Sequence, residues 1–272
     1  ASGPATLAPI AVLGASAGAD GFVAQTSSSA GKTDASLMET SRSVSVVTRA
    51  QMDARGVTSM PEAVRYAAGV GTGSAGFDPR FDQITIRGFP VNTTGDYLDG
   101  LRQTPGSYAY FRTEPYALER IDIVKGPMSV LYGQGTPGGV VNRISKRPGP
   151  DPVREIVLMG ATHDRKQAAF DIGDDMNESG SARVCVTGLL RRGDTDRMIA
   201  DERDLFAPSF EFRLGEDTTL TLLGQYLKDE TDANVGNYVE NGKVTRIRVS
   251  DPRYDHQRQT QYQAGYELEH RL

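Results

Sequence analysis

The chain has no tryptophan, a single cysteine and three histidines among its 272 residues, and each shortage closes a class of function. A lone Cys185 cannot form an intramolecular disulfide, so it reads as a small strand residue. His163, His256 and His270 are isolated from one another and from Cys185, which leaves no metal-ligand spacing. No stretch approaches the roughly 18–20 apolar residues of a membrane-crossing helix. Membrane strands, which need only about 9–11 alternating residues, stay open. A basic excess is lacking too: net charge is −5, and Lys and Arg are spread along the chain, so a nucleic-acid partner has no electrostatic footing. Catalytic constellations are also missing. Gly133-Gln134-Gly135-Thr136-Pro137-Gly138 has the glycines of a phosphate loop without its Lys-Ser/Thr pair. No His accompanies a Ser or Cys nucleophile in a recognisable context, so an enzyme is not expected.

Two textures are present. Residues 1–36 are rich in Ala, Gly, Ser and Thr around one apolar island, Leu7 to Leu13. Such composition buries too little surface to offset its ordering entropy, and it reads as a flexible tail with a short recognition segment. The chain opens Ala1-Ser2-Gly3 without a start methionine or a basic signal region, as a processed or shortened chain would. A compact α+β unit of about 110 residues follows. Ser43–Thr48, Ile84–Arg87, Asp96–Leu98, Arg120–Val124 and Gly138–Ile144 read as strands. Thr48 and Gln51 fit a capping box on a short helix ended by Gly56. Pro61–Ala68, stopped by Gly69, Glu114–Leu118 and Met128–Tyr132 read as further helices.

Beyond Pro150 the pattern becomes alternating. Val184, Val186, Gly188 and Leu190 oppose Arg183, Cys185, Thr187 and Arg191. Phe206, Pro208, Phe210 and Phe212 oppose Ala207, Ser209 and Glu211. Leu220, Leu222, Gly224 and Tyr226 oppose Thr221 and Gln225, with Leu223 breaking the polar row. Tyr262, Ala264, Tyr266 and Leu268 oppose Gln263, Gly265, Glu267 and Glu269. Ten-residue segments with one apolar and one charged face suit lipid outside and a wet interior. A soluble antiparallel sandwich also alternates, and texture alone does not separate the two. Short gaps near Asp174–Gly180 and Gly215–Asp217 alternate with longer ones, Asp194–Asp201 and Asp229–Gln261, as periplasmic turns alternate with external loops.

Four ordered blocks carry a resemblance. They are Glu39-Thr40 with Ser43–Thr48; Ala63–Val70; Ile86-Arg87-Gly88-Phe89 with Asp99-Gly100; and the long run Glu114–Gly133, Gly135–Asn142 and Ser145–Pro148. Together they resemble the plug of TonB-dependent siderophore receptors of the ferrichrome type. The resemblance implies a tail over 1–32, a plug over 33–150 and barrel strands over 151–272. The fold class is then an α+β plug domain followed by an incomplete antiparallel transmembrane β-barrel, with six strands here of roughly 22.

It also implies an outer-membrane importer of ferric siderophores in a Gram-negative bacterium, energised by TonB, with outer-membrane lipid around it. No resident cofactor is expected, because iron travels inside the siderophore. A related receptor for cobalamin, a saccharide or another metal chelate is the alternative. Leu7, Ala8, Pro9, Ile10, Ala11, Val12 and Leu13 are similar to the family's energy-coupling box. Arg87 and Lys125 match plug cations that pair with barrel carboxylates. Apical ligand contacts would fall on Phe77, Arg80, Phe81, Thr93, Tyr108, Tyr110 and Phe111; an aromatic cluster with one arginine suits a planar anionic chelate.

Overall fold

The computed structural model describes residues 21–31, 36–73, 78–105, 110–195, 199–232, 236–249, 251 and 253–271. Its N-terminal unit starts with a short helix α1 (Ser28–Gly31), strand β1 (Ser43–Thr48) and helices α2 (Arg49–Ala54) and α3 (Met60–Val64). Short strands β2 (Val70–Thr72), β3 (Ile84–Ile86), β4 (Phe89–Pro90), β5 (Asp96–Leu98) and β6 (Leu101–Arg102) follow. The unit closes with β7 (Leu118–Lys125), α4 (Ser129–Tyr132) and β8 (Gly139–Ser145). A mixed sheet of order β1-β7-β8-β5-β6 is its spine, parallel only between β5 and β8.

Strand β7 alternates two kinds of burial. Ile121 and Ile123 join Val47, Met52, Met60, Val64 and Ile86 in one fully enclosed apolar cluster. Val124, on the other face, packs with Ala30, Tyr97, Met128 and Val140. Gly138 and Gly139 let β8 approach its neighbours: a Cβ on Gly138 would stand 2.4 Å from the Ile86 carbonyl oxygen, and one on Gly139 2.1 Å from that of Val124.

Several expectations are corrected here. Residues 24–31 are packed rather than loose: Ser27 and Ser29 donate to the fully buried Asp122 carboxylate at 2.6 and 2.7 Å, and Ala30 is enclosed. Small side chains fit under the sheet, and their hydroxyls satisfy a carboxylate that would otherwise be costly to bury. Only half of the capping box forms. Thr48 accepts from the Gln51 N–H at 3.3 Å, while the Gln51 amide donates to the Phe22 carbonyl. The Pro61 helix stops at Val64, and the Glu114–Leu118 helix is a single 3-10 turn, Pro115–Ala117, whose chain then enters β7. Arg87 leaves its strand for a left-handed turn, φ 52°, followed by Gly88 at φ 85°.

The rest is one antiparallel meander: β9 (Val153–Gly160), β10 (Lys166–Asp175), β11 (Ala182–Arg192), β12 (Asp201–Arg213), β13 (Thr218–Asp232) and β16 (His256–His270), paired in that order. A hairpin, β14 (Asn237–Glu240) with β15 (Lys243–Arg248), stands on the β13–β16 connection. The strands run further than the sequence suggests, so that connection shortens to 233–255.

Register places every expected apolar residue on one face. One row reads Ile156, Phe170, Gly188, Phe206, Tyr226, Tyr262; the next reads Ile172, Val186, Pro208, Gly224, Ala264. Tyr262 is 76% and Ile156 77% exposed, so the outward face is an open apolar band. The Phe170 ring covers Gly188, where a Cβ would lie 2.3 Å from it. The inward face is not uniformly polar. Leu189, Leu205 and Leu227 point inward with Ala169, because the N-terminal unit fills that side and seats Ala117 on them.

Candidate functional site

The seam between the N-terminal unit and the wall is built from charges that neither part could bury alone. Glu114 is 1% exposed and follows the irregular segment 110–113. Arg191 Nη1 and Arg203 Nη1 donate to its Oε2 at 2.9 and 2.8 Å, so one carboxylate of the N-terminal unit holds two wall strands. Arg203 also pairs with Asp201 at 3.2 Å and Asp229 at 3.4 Å. Arg112 donates through Nη1 to both oxygens of Asp229 at 3.2 and 3.0 Å. Charges at this depth are tolerable only when paired and hydrogen-bonded in this way. Further down, Lys146 meets Asp171 at 2.5 Å and lies 4.3 Å above the Tyr116 ring, whose hydroxyl donates to Glu155 at 2.7 Å.

Beside this seam a cavity of about 610 Å³ separates the 98–104 turn from the wall. Phe111, Arg102, Lys146, Gln263 and Glu267 are among its lining residues. Arg147 pairs with two of the carboxylates that line it, 2.6 Å from Glu267 and 3.5 Å from Asp99. Within the N-terminal unit, Arg143 is buried and donates to Asp96 and to Thr113 Oγ1. Burial pushes the Asp96 carboxyl up to about 6 against the pull of Arg143, with Asp82 adding to the rise.

The structure gathers three of the expected ligand contacts. Arg80 stacks over the Phe81 ring at 5.0 Å, and Phe81 meets Tyr110 edge-on at 5.0 Å. Arg80 is already engaged: its Nε and Nη2 donate to Asp78 at 2.9 and 2.6 Å. Burial would raise the Asp78 carboxyl, but the Arg80 contacts outweigh it and hold it below the usual range. Phe111 faces the cavity instead of this trio, and Thr93 is met through its carbonyl, which accepts from Arg102 at 3.3 Å. Phe77, Tyr108 and the segment Leu7–Leu13 lie outside the described residues.

Arg87 and Lys125 do come together. Lys125 donates to Ser45 Oγ at 2.8 Å, and burial together with the nearby Arg87 guanidinium holds its amine below the ordinary lysine value. Arg87 is exposed, and no acidic side chain pairs with either cation among the described residues. Sequence reasoning missed the Glu114, Arg191, Arg203 and Asp229 cluster. The signal was available, since Arg191 falls on the inward row of its strand and Glu114 opens the longest of the four blocks.

A small mixed domain pinned by buried ion pairs inside a wall with an apolar outer face defines a plug-and-barrel membrane protein. Residues 36–140 match the TonB-dependent Receptor Plug Domain. The chain is 39% identical over 242 residues to the ferrioxamine receptor of Yersinia enterocolitica, covering 86% of this chain and 33% of that protein. It is 33% identical over 226 residues to the ferrichrome outer membrane transporter/phage receptor of Escherichia coli K12, covering 82% and 30%.

Among solved structures, the Pseudomonas aeruginosa receptor FpvA bound to a heterologous ferric pyoverdine superposes with a TM-score of 0.82 at 21% identity. That match covers 92% of this chain and 34% of FpvA, and it speaks for the fold alone. The closed form of the E. coli ferric-catecholate import receptor Fiu gives 0.80 at 22% identity, over 92% and 37%. The chain belongs to the TonB-dependent receptors of the Gram-negative outer membrane, as a plug with six strands of barrel wall. It spans about a third of the length of the curated relatives it matches.

Proposed function

We propose that the receptor to which this chain belongs imports a ferric siderophore, by binding and transport rather than catalysis. The observation that carries the reading is the pairing of a wall-pinned plug with relatives named for ferrioxamine and ferrichrome. Iron is cargo, enclosed in the chelate, and needs no resident metal site. The chelate would meet the aromatic face of Phe81 and Tyr110 from outside, with Tyr108 and Phe77 as further contacts. Arg80 contributes its stacked face while Asp78 occupies its fork.

Arg87 and Lys125 form a doubly positive patch suited to carboxylates on a further part of the wall. On the inner side, Leu7–Leu13 would be captured by TonB as an added β-strand and pulled to rearrange the plug. Calorimetric titration of the full-length receptor with ferric and iron-free ferrioxamine B and ferrichrome tests the reading. Sub-micromolar binding that prefers a ferric form and weakens in Tyr110→Ala supports it. Equal silence toward all four overturns it and favours another metal chelate, a class represented by the metal-pseudopaline receptor of P. aeruginosa, 29% identical over 211 residues.

A further inference from the structure

Strand β16 presents Gln259, Gln261 and Gln263 on its inward face, spaced by two residues and therefore about 7 Å apart. All three touch the plug. Gln263 donates to the Gln103 side chain at 2.8 Å. Gln261 accepts from the Arg112 N–H at 2.6 Å and donates back to the Arg112 carbonyl at 2.9 Å. Gln259 donates to the Tyr110 carbonyl and, at 2.6 Å, to Gln261 Oε1. The segment 110–113 is in no strand, yet Arg112 and Gln261 are only 5% and 6% exposed. Its backbone polar groups have no ladder to join and would be costly to bury unmet.

We propose that Gln261 is a positioning residue for ligand binding: its amide stands in for a strand partner and, with Gln259, fixes the loop that carries Tyr110 and Phe111 against the wall. The proposal rests on the importer reading above. Two features separate it from generic packing. The amide makes both hydrogen bonds to one residue, so it sets the loop's orientation as well as its distance. The Arg112 side chain is held independently by Asp229 on the neighbouring strand, and the next N–H, of Thr113, by Asp82 of the plug at 3.0 Å, so Gln261 is the wall group that meets the Arg112 backbone on both sides. The Tyr110 ring, edge-on to Phe81, then inherits its place from the wall.

The test uses the full-length receptor and two variants of similar shape. Gln261→Met keeps the volume and loses both hydrogen bonds. Ferric ferrioxamine B or ferrichrome, whichever the wild type binds, should bind it about tenfold more weakly, the factor expected of roughly one unmet hydrogen bond. Gln261→Glu carries the sharper readout. As a carboxylate, at about pH 7.5, it cannot donate to the Arg112 carbonyl; protonated, at about pH 3.5, below the ordinary glutamic acid value of about 4.3, it restores acceptor and donor together. Its affinity relative to wild type should therefore recover on acidification, while Gln261→Met stays weak at both values.

Amide hydrogen exchange at Arg112 and Thr113 in the unliganded receptor should follow the same order. Wild-type affinity in Gln261→Met, or faster exchange with unchanged affinity, overturns the positioning role. If the wild type binds neither chelate, the importer reading fails and exchange decides alone. Acid-restored protection in Gln261→Glu then supports the anchor, and protection equal in all three proteins overturns it.

Discussion

Glu114 shows how much of the plug's seating depends on a single carboxylate. It is enclosed by Arg191 and Arg203, each within 2.9 Å, and its removal would leave these two buried cations with only the wall carboxylates Asp201 and Asp229. Breaking such a cluster from one side costs about 3–5 kcal/mol, more than the cluster contributes as a whole over an apolar replacement. Glu114→Ala should therefore loosen the plug by about that amount, and Glu114→Gln by less, because the amide oxygen still accepts one arginine. Urea-dependent proteolysis of the plug in the detergent-solubilised receptor measures this. A change below about 1 kcal/mol would place the anchoring elsewhere along the seam.

Asp96 makes a second prediction at this scale. Its carboxyl is raised to about 6 in the fold from 3.8 outside it, so the neutral form is the better accommodated one. The stability this contributes is complete below about pH 3.8 and is lost as pH rises through about 6, amounting to at most about 3 kcal/mol. Asp96→Asn cannot ionise, so the slope of plug stability between about pH 4 and 7 should flatten in that variant. Denaturant midpoints across the range check it; an identical slope in both proteins would assign the titration to another group.

At the scale of elements, legibility followed how local the cause was. The outward rows of β11, β12, β13 and β16 were readable because a lipid-facing surface is selected residue by residue at period two, and register then aligned all four. The inward face was read as polar and is mixed. Leu189, Leu205 and Leu227 face the lumen because Ala117 of the plug excludes water there, a fact that lives in another element. Leu223, which breaks the expected polar row, lines the plug–wall cavity instead of packing on Ala117.

The plug helices are shorter than their sequence signals predict. Pro61 and Ser59 start a helix locally, yet residues 65–69 turn away to feed β2, and a five-residue helix is held by Met60, Ala63 and Val64 in the core rather than by propensity. The N-terminal stretch is more ordered than its composition predicts, for the same reason. Ser27 and Ser29 look like linker residues until Asp122, more than ninety positions away, requires donors. Of the candidate apical site, the grouping of Arg80, Phe81 and Tyr110 is foreshadowed by loop composition, but the Gln259 and Gln261 contacts are not, since glutamines on a strand carry no mark of what they touch.

For the molecule as a whole, two surfaces decide behaviour outside a membrane. The wall exposes Ile156, Leu158, Leu190, Phe206, Tyr262, Tyr266 and Leu268 on one face, and no element among the described residues covers them. Strands β9 and β16 each have a single partner in the sheet, so two rows of backbone donors and acceptors are available to other chains. The plug adds its own open apolar positions, Tyr66, Phe89, Leu101 and Val130. Polar plug contacts hold the inner face but do nothing for the outer one, because the plug sits on the opposite side of the sheet. Residues 1–272 expressed alone should therefore aggregate in detergent-free buffer and elute as a discrete species only in detergent. Size-exclusion chromatography with light scattering in both conditions is the measurement. A monodisperse monomer without detergent would mean that the outward face is not lipid-facing, and the soluble sandwich left open by the alternation would replace the barrel wall.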